Sequence, residues 1–295
     1  MKLFDFRREY GDKETIVNKL RSIGLLNGNI KCDKCGDTMI DRQYKNTDGI
    51  RVHCDKRSCR TKKSARDRSF FSGAKLSLND AMLFMHLWSK GYSEKLILED
   101  FEFSNKTVID WSRFFRDLCI FEFENSDAII GGPGSIVEID ETIAIKRKHE
   151  VGRMPSTAGW LFGGIERRED GVFNCFIKLV FNRSEGHLTH LIQQHVRQGT
   201  HIITDGWAAY RNLGSMGYIH NVVIHETNFV SPEDVNIHTQ LIESTWSSLK
   251  RFLRTRGTNK GEYYLEYICE WLFRRKYNNV FDGIINTIRN KYQFG

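Results

Sequence analysis

Four cysteines in two close pairs constrain the first quarter of this chain more tightly than any other feature. Cys32 and Cys35 stand in K-C-D-K-C-G and Cys54 and Cys59 in H-C-D-K-R-S-C-R, a spacing of C-x2-C-x18-C-x4-C. Two knuckles separated by a strand-turn-strand length suit tetrahedral thiolate ligation in a zinc ribbon, with Gly36 and Gly49 freeing the knuckle and hairpin turns. Four protein ligands close the coordination shell, so the expected Zn²⁺ is structural. His53 could replace one cysteine, or stand beside the site as an exposed neighbour. The chain has seven cysteines, an odd number that speaks against a disulfide framework. Cys119, Cys175 and Cys269 lie in apolar runs and read as small buried hydrophobes.

The ribbon is also where the positive charge lies. Residues 1–75 carry 19 Lys and Arg against 10 Asp and Glu, a balance of +9, which leaves −2 of the net +7 for the rest of the 295 residues. Arg57, Arg60, Lys62, Lys63, Arg66 and Arg68 cluster around and beyond the second cysteine pair. Such a cluster is either a solvated face or a surface for a polyanion such as nucleic acid, whose phosphates release counterions on binding. With 40% hydrophobic residues and three prolines, most of the chain should fold, into two or three domains. The first residues, K-L-F-D-F-R-R-E-Y, lack the apolar core of a secretory signal, and no window approaches the roughly 18 apolar residues of a membrane span. A soluble intracellular protein with no membrane partner is expected.

Three segments follow from periodicity and punctuation. Residues 1–75 hold a short helix, with Ile16, Leu20 and Ile23 on one face, and then the ribbon. Residues 76–130 read as three helices, with Ser93 and Ser104 as N-caps of the second and third. Their order fits a helix-turn-helix-like DNA-binding domain or a plain helical linker, and Asn105, Lys106 and Arg113 are the exposed candidates for contact. After Gly131-Gly132-Pro133-Gly134, residues 131–295 alternate in type: strands at 136–145, 160–166 and 173–181, a helix at 186–196, and a strand ending at Asp205. A helix at 207–213, a strand at 221–225 and a long helix from about Thr239 complete the order. This α/β sequence of elements matches a ribonuclease-H-like mixed sheet.

Acids interrupt that pattern at three element ends. In V-E-I-D-E-T-I, alternation puts Glu138, Asp140 and Thr142 on one face of the strand and Val137, Ile139, Glu141 and Ile143 on the other. Asp205 closes the apolar strand H-I-I-T-D, and Glu243 falls in the first turn of H-T-Q-L-I-E-S-T-W-S-S-L-K-R-F-L-R. Each has an ordinary role open to it: strand-edge charge, helix cap, or first-turn acid. Converging, they would repel one another unless hard divalent cations, Mg²⁺ or Mn²⁺, lay between them. Two such ions could stabilise the attacking and leaving oxygens of a phosphoryl displacement.

At these residues the chain resembles the Merlin superfamily of DNA transposases and their bacterial insertion-sequence relatives. The likeness rests on V-E-I-D-E-T (137–142), W-L-F-G-G-I-E-R (160–167), I-I-T-D-G-W-A-A-Y (202–210), N-F-V-S-P-E (228–233) and H-T-Q-L-I-E-S-T-W (238–246), with the basic ribbon in front. The resemblance implies a catalytic triad of metal-binding acids at Asp140, Asp205 and Glu243. It also implies terminal inverted repeats and target DNA as double-stranded substrates, cut-and-paste strand cleavage and transfer, a homo-oligomer on DNA, and residence in the nucleus. Some relatives carry Asn at the third acidic position, where this chain has Glu243. Lys146, Arg147, Lys250 and Arg254 are the expected DNA-positioning cations of this region. His238 would touch a metal-bound water or scissile phosphate, or order its loop by a hydrogen bond. Trp207 and Trp246 read as packing residues. The alternative is a domesticated, non-catalytic DNA-binding regulator derived from a transposase.

Overall fold

The computed structural model describes residues 1–13, 15–124, 129–143, 159–170, 173–223, 237–256 and 264–293. They form two compact units, Met1–Glu122 with Tyr277–Gly295, and Phe123–Lys276. This differs from the expected 1–75, 76–130 and 131–295: ribbon and helices make one unit, and the last helix joins them.

The first unit opens with α1 (Leu3–Tyr10) and α2 (Ile16–Ser22). Only α2 was legible in the sequence, because α1 carries just Phe6 and Tyr10 as buried residues among charged ones. An antiparallel three-stranded sheet follows, β1 (Ile40–Gln43), β2 (Ile50–His53) and β3 (Lys62–Ser64). Then come α3 (Leu78–Ser89), α4 (Glu94–Asp100) and α5 (Asn105–Glu124). The Ser77, Ser93 and Ser104 hydroxyls accept from the N–H groups of Asp80, Leu96 and Thr107, filling orphan donors of each first turn. The last helix, α9 (Val280–Lys291), belongs here because Phe281 packs edge-on against Phe6, Tyr10 and His86. Tyr277 adds a phenol-to-Glu122 hydrogen bond of 2.7 Å.

The second unit is a five-stranded mixed sheet. Its strands are β4 (Ile136–Ile143), β5 (Trp160–Glu166), β6 (Cys175–Val180), β7 (His201–Asp205) and β8 (Ile219–Val223), in the order β6-β5-β4-β7-β8. The first three pair antiparallel and the last two join in parallel, the ribonuclease-H-like arrangement. One face packs α6 (Glu185–His195) through Val137, Ile139, Phe162, Ile202 and Leu188. The other packs α7 (Gln240–Thr255) and α8 (Tyr264–Lys276) through Leu161, Ile165, Trp246, Leu249 and Trp271. The helix expected at 207–213 is instead two short 3-10 turns, Ala208–Tyr210 and Leu213–Met216. Asn212 and Gly214 are poor helix formers, and Gly217 leaves at φ +89, a conformation glycine adopts without strain. No helix among the described residues is long and apolar enough to cross a membrane.

Candidate active site and metal-binding ribbon

Along β4 the three residues of the acidic face meet α7 in step. Glu138 Oε2 accepts the Ile242 N–H at 2.9 Å, Asp140 Oδ2 accepts the Trp246 indole N–H at 3.0 Å, and Thr142 Oγ1 meets Lys250 Nζ. Two strand residues advance about 6.7 Å and four helix residues about 6.0 Å, so the i+2 repeat of the strand matches the i+4 repeat of the helix. Gly163 makes this possible. It pairs with Asp140 across β5, and a Cβ there would come within 2.8 Å of the Trp246 ring. Gly164 makes the same room for Phe176 on the opposite face.

Glu138 is 0% exposed and serves structure. Besides capping α7, its Oε1 accepts from Arg167 Nε at 2.7 Å, while Arg167 Nη2 donates to the His238 carbonyl at 2.7 Å and lies 3.0 Å from His238 Nδ1. His238 is thereby tied to the entry of α7.

Asp205 ends β7, which runs parallel to β4 with Ile203 beside Glu138. Asp205 and Asp140 each lie two residues beyond that last pair, near enough for the Asp205 charge to act on Asp140. Burial, and then the negative charges of Asp205 and Glu141, push the Asp140 carboxyl up to about 7, against the pull of the Glu141 N–H and the Trp246 indole. Asp205 Oδ1 accepts the Trp207 N–H at 3.1 Å. Glu243 sits in the first turn of α7, its Oε1 accepting the Thr239 hydroxyl at 3.0 Å. Lys250 is half-buried on the same helix and Arg254 exposed in its last turn, whereas Lys146 and Arg147 lie outside the described residues. Asp140, Asp205 and Glu243 do not gather as tightly as the ribbon thiols do: among the described residues, the four cysteines are the group of His, Cys, Asp or Glu that meets closely enough to hold one ion.

On the far face of β4, Glu141 has a side chain only 2% exposed and lies 3.5 Å from Arg183. Burial pushes the Glu141 carboxyl up, against the pull of the Tyr210 hydroxyl and then of Arg183. The Arg183 guanidinium stands 3.8 Å from the centre of the Trp160 ring and 4.5 Å from that of Trp207. Trp207 is 42% exposed, so it is held by a cation rather than by the core packing read from sequence. Sequence reasoning missed Arg183 altogether, since it sits in a turn with no periodicity. Alternation puts Glu138 on the right face but says nothing of the helix end it caps.

In the ribbon the Sγ atoms of Cys32, Cys35, Cys54 and Cys59 all lie within 4.8 Å of one another, and both Cys32–Cys59 and Cys35–Cys54 are 3.4 Å apart. Thiolates about 2.3 Å from a tetrahedral zinc would be about 3.8 Å apart, so the cluster fits such an ion with a small expansion. Gly36 and Gly49 take positive φ, +75 and +74, at the knuckle and hairpin turns.

Two of the six ribbon cations are not surface charges. Arg66 is 5% exposed, doubly bonded to Asp48, and donates to the carbonyls of Ala74 and Leu76 at 2.9 and 2.8 Å. It is a buried strut, unavailable to a phosphate, because a charge so buried keeps its partners. Lys63 is clamped between Asp33 and Asp67 at 2.7 and 3.1 Å. Arg57, Arg60, Lys62 and Arg68 are exposed.

Residues 126–276, just over half of the chain, match the ISXO2-like transposase domain, and the match coincides closely with the second compact unit. No curated protein matches the chain.

Proposed function

Because this chain belongs to the ISXO2-like transposase domain family, we propose that it is a cut-and-paste DNA transposase, of the Merlin superfamily within that wider kinship, with Asp140, Asp205 and Glu243 as its catalytic acids. The observation that carries this reading is the pair of acids just beyond the paired ends of neighbouring parallel strands, Asp140 being pushed up to about 7 by burial and then by the Asp205 charge. Such a pair is unfavourable empty and favourable around a divalent cation. An all-oxygen donor set suits Mg²⁺ or Mn²⁺, and acids spread around two ions need not crowd one point as ligands of a single ion do. When bound, these ions supply Lewis-acid stabilisation of the attacking and leaving oxygens of the phosphodiester.

The chain's own residues orient the site. The Trp246 indole fixes the Asp140 carboxylate, the Trp207 N–H fixes Asp205, and the Thr239 hydroxyl fixes Glu243. Lys250 and Arg254 present positive charge along α7 to the strand being cut. The ribbon, holding structural Zn²⁺ on Cys32, Cys35, Cys54 and Cys59, binds DNA through Arg57, Arg60, Lys62 and Arg68, with the α3–α5 helices as a second DNA contact. Terminal inverted repeats and target DNA are the substrates, a homo-oligomer pairs the ends, and the nucleus is the place of action.

The test is nicking of a duplex that carries the element's own genomic flanks, with Mg²⁺ or Mn²⁺. Asp140→Asn, Asp205→Asn and Glu243→Gln should each keep fold and DNA binding and lose cleavage by about a hundred- to a thousandfold, the scale of removing a principal electrostatic contributor. A wild-type chain that binds the flanks tightly and never nicks them would favour the regulator instead.

A further inference from the structure

The ribbon cations sort by their partners. Lys63, Arg66 and Arg68 all face carboxylates, whereas Arg57, Arg60 and Lys62 have no acidic partner among the described residues. Those three line one cavity of about 310 Å³ together with Arg42, His53, Cys54 and Asp55. Arg42 and Asp55 neutralise each other at 2.7 Å, so four cations and one acid leave a net +3 around it. His53, from β2 opposite Lys62 of β3, forms part of its wall.

Arg60 adds an independent sign. It follows Cys59 as Gly36 follows Cys35, and both take the left-handed conformation, φ +51 and +75. Glycine is the unstrained choice there, and an arginine gives up about 1–2 kcal/mol to occupy it. The second knuckle thus carries a guanidinium on the cavity wall where the first knuckle carries glycine.

We propose that this cavity is a subsite for one DNA backbone phosphate, gripped by Arg57, Arg60 and Lys62. Charge-assisted bonds from guanidinium to phosphate oxygen supply most of the hold. The subsite rests on the DNA-binding reading and is independent of the catalytic acids. It would anchor the ribbon to the backbone without reading base sequence.

The experiment uses the full chain, a labelled DNA duplex and fluorescence anisotropy over a range of salt, with zinc content measured for each variant. Arg57→Ala, Arg60→Gly and Lys62→Ala should each weaken binding roughly three- to tenfold at about 0.1 M salt and lower the salt slope by about 1. Arg60→Gly separates folding from binding, because glycine relieves the backbone and should keep or raise ribbon stability. Lys56→Ala, a ribbon cation outside the cavity, should change little. Equal losses at Lys56 would reveal a diffuse basic face and overturn the subsite, as would unchanged binding by the Arg57, Arg60 and Lys62 variants. A wild-type chain that binds no duplex even at low salt would overturn the DNA-binding reading, and the subsite with it.

Discussion

Glu138 and Asp140 are two residues apart on one face of one strand and do opposite work. Glu138 is fully buried, with both oxygens committed to the α7 backbone and Arg167; Glu138→Ala leaves that arginine and the helix end unpaired. It should cost about 3–5 kcal/mol in urea unfolding. Asp140 is half-buried beside Asp205, and its ionised form is disfavoured by burial and by that neighbour. Asp140→Asn should therefore raise the stability of the metal-free chain at pH 8 by about 1–2 kcal/mol in the same assay, while removing divalent-cation binding in titration calorimetry. A destabilised Asn variant would show that the carboxylate serves packing. Among the ribbon cations the same contrast holds. Arg66→Ala should lose about 3–5 kcal/mol by leaving Asp48 buried alone, and Arg68→Ala within about 0.5, measured by thermal melting.

At the scale of elements, the site depends on how closely α7 approaches β4 and β5. Gly163 sets that approach, since any larger residue meets the Trp246 ring. Gly163→Ala should cost about 1–3 kcal/mol and release the indole from Asp140, seen as a shift in tryptophan fluorescence and lost cleavage. The other lever is Arg183, which holds the exposed Trp207 whose N–H grips Asp205. Arg183→Met should weaken Mn²⁺ affinity about tenfold, the usual size of an outer-sphere effect. Arg183→Lys should recover part of it, and DNA affinity should not move. The G-G pair was visible in the sequence as part of a motif. Its reason was not, because the two rings it accommodates come from α7 and β6, and no local pattern reports what lies opposite a strand.

For the molecule as a whole, the two units should answer to different stresses. His86 is buried in the first unit, stacked 4.6 Å from Phe6, and burial, then nearby Lys90 and the chain's N-terminal amine, hold its imidazole down to about 4. The unfolded chain takes up a proton near pH 6.5 and the folded chain only near 4. Stability from this residue is therefore whole above about 6.5 and falls, by up to roughly 3 kcal/mol, as pH drops to 4. Melting of the full chain followed over that range should show the fall, and His86→Phe should flatten it.

Short-range pattern determined a good deal by itself: the C-x2-C-x18-C-x4-C ribbon, the serine-capped helices and the face on which Asp140 lies, because ligand spacing, capping and two-residue alternation are local properties. Tertiary structure decided which charges are free. Arg66 and Arg60 look alike in a basic run, yet one is a buried strut and the other lines a cavity. Glu138 and Asp140 look alike on a strand, yet one caps a helix 104 positions away. A charge takes its role from the partner that folding sets beside it, and that partner is remote in sequence.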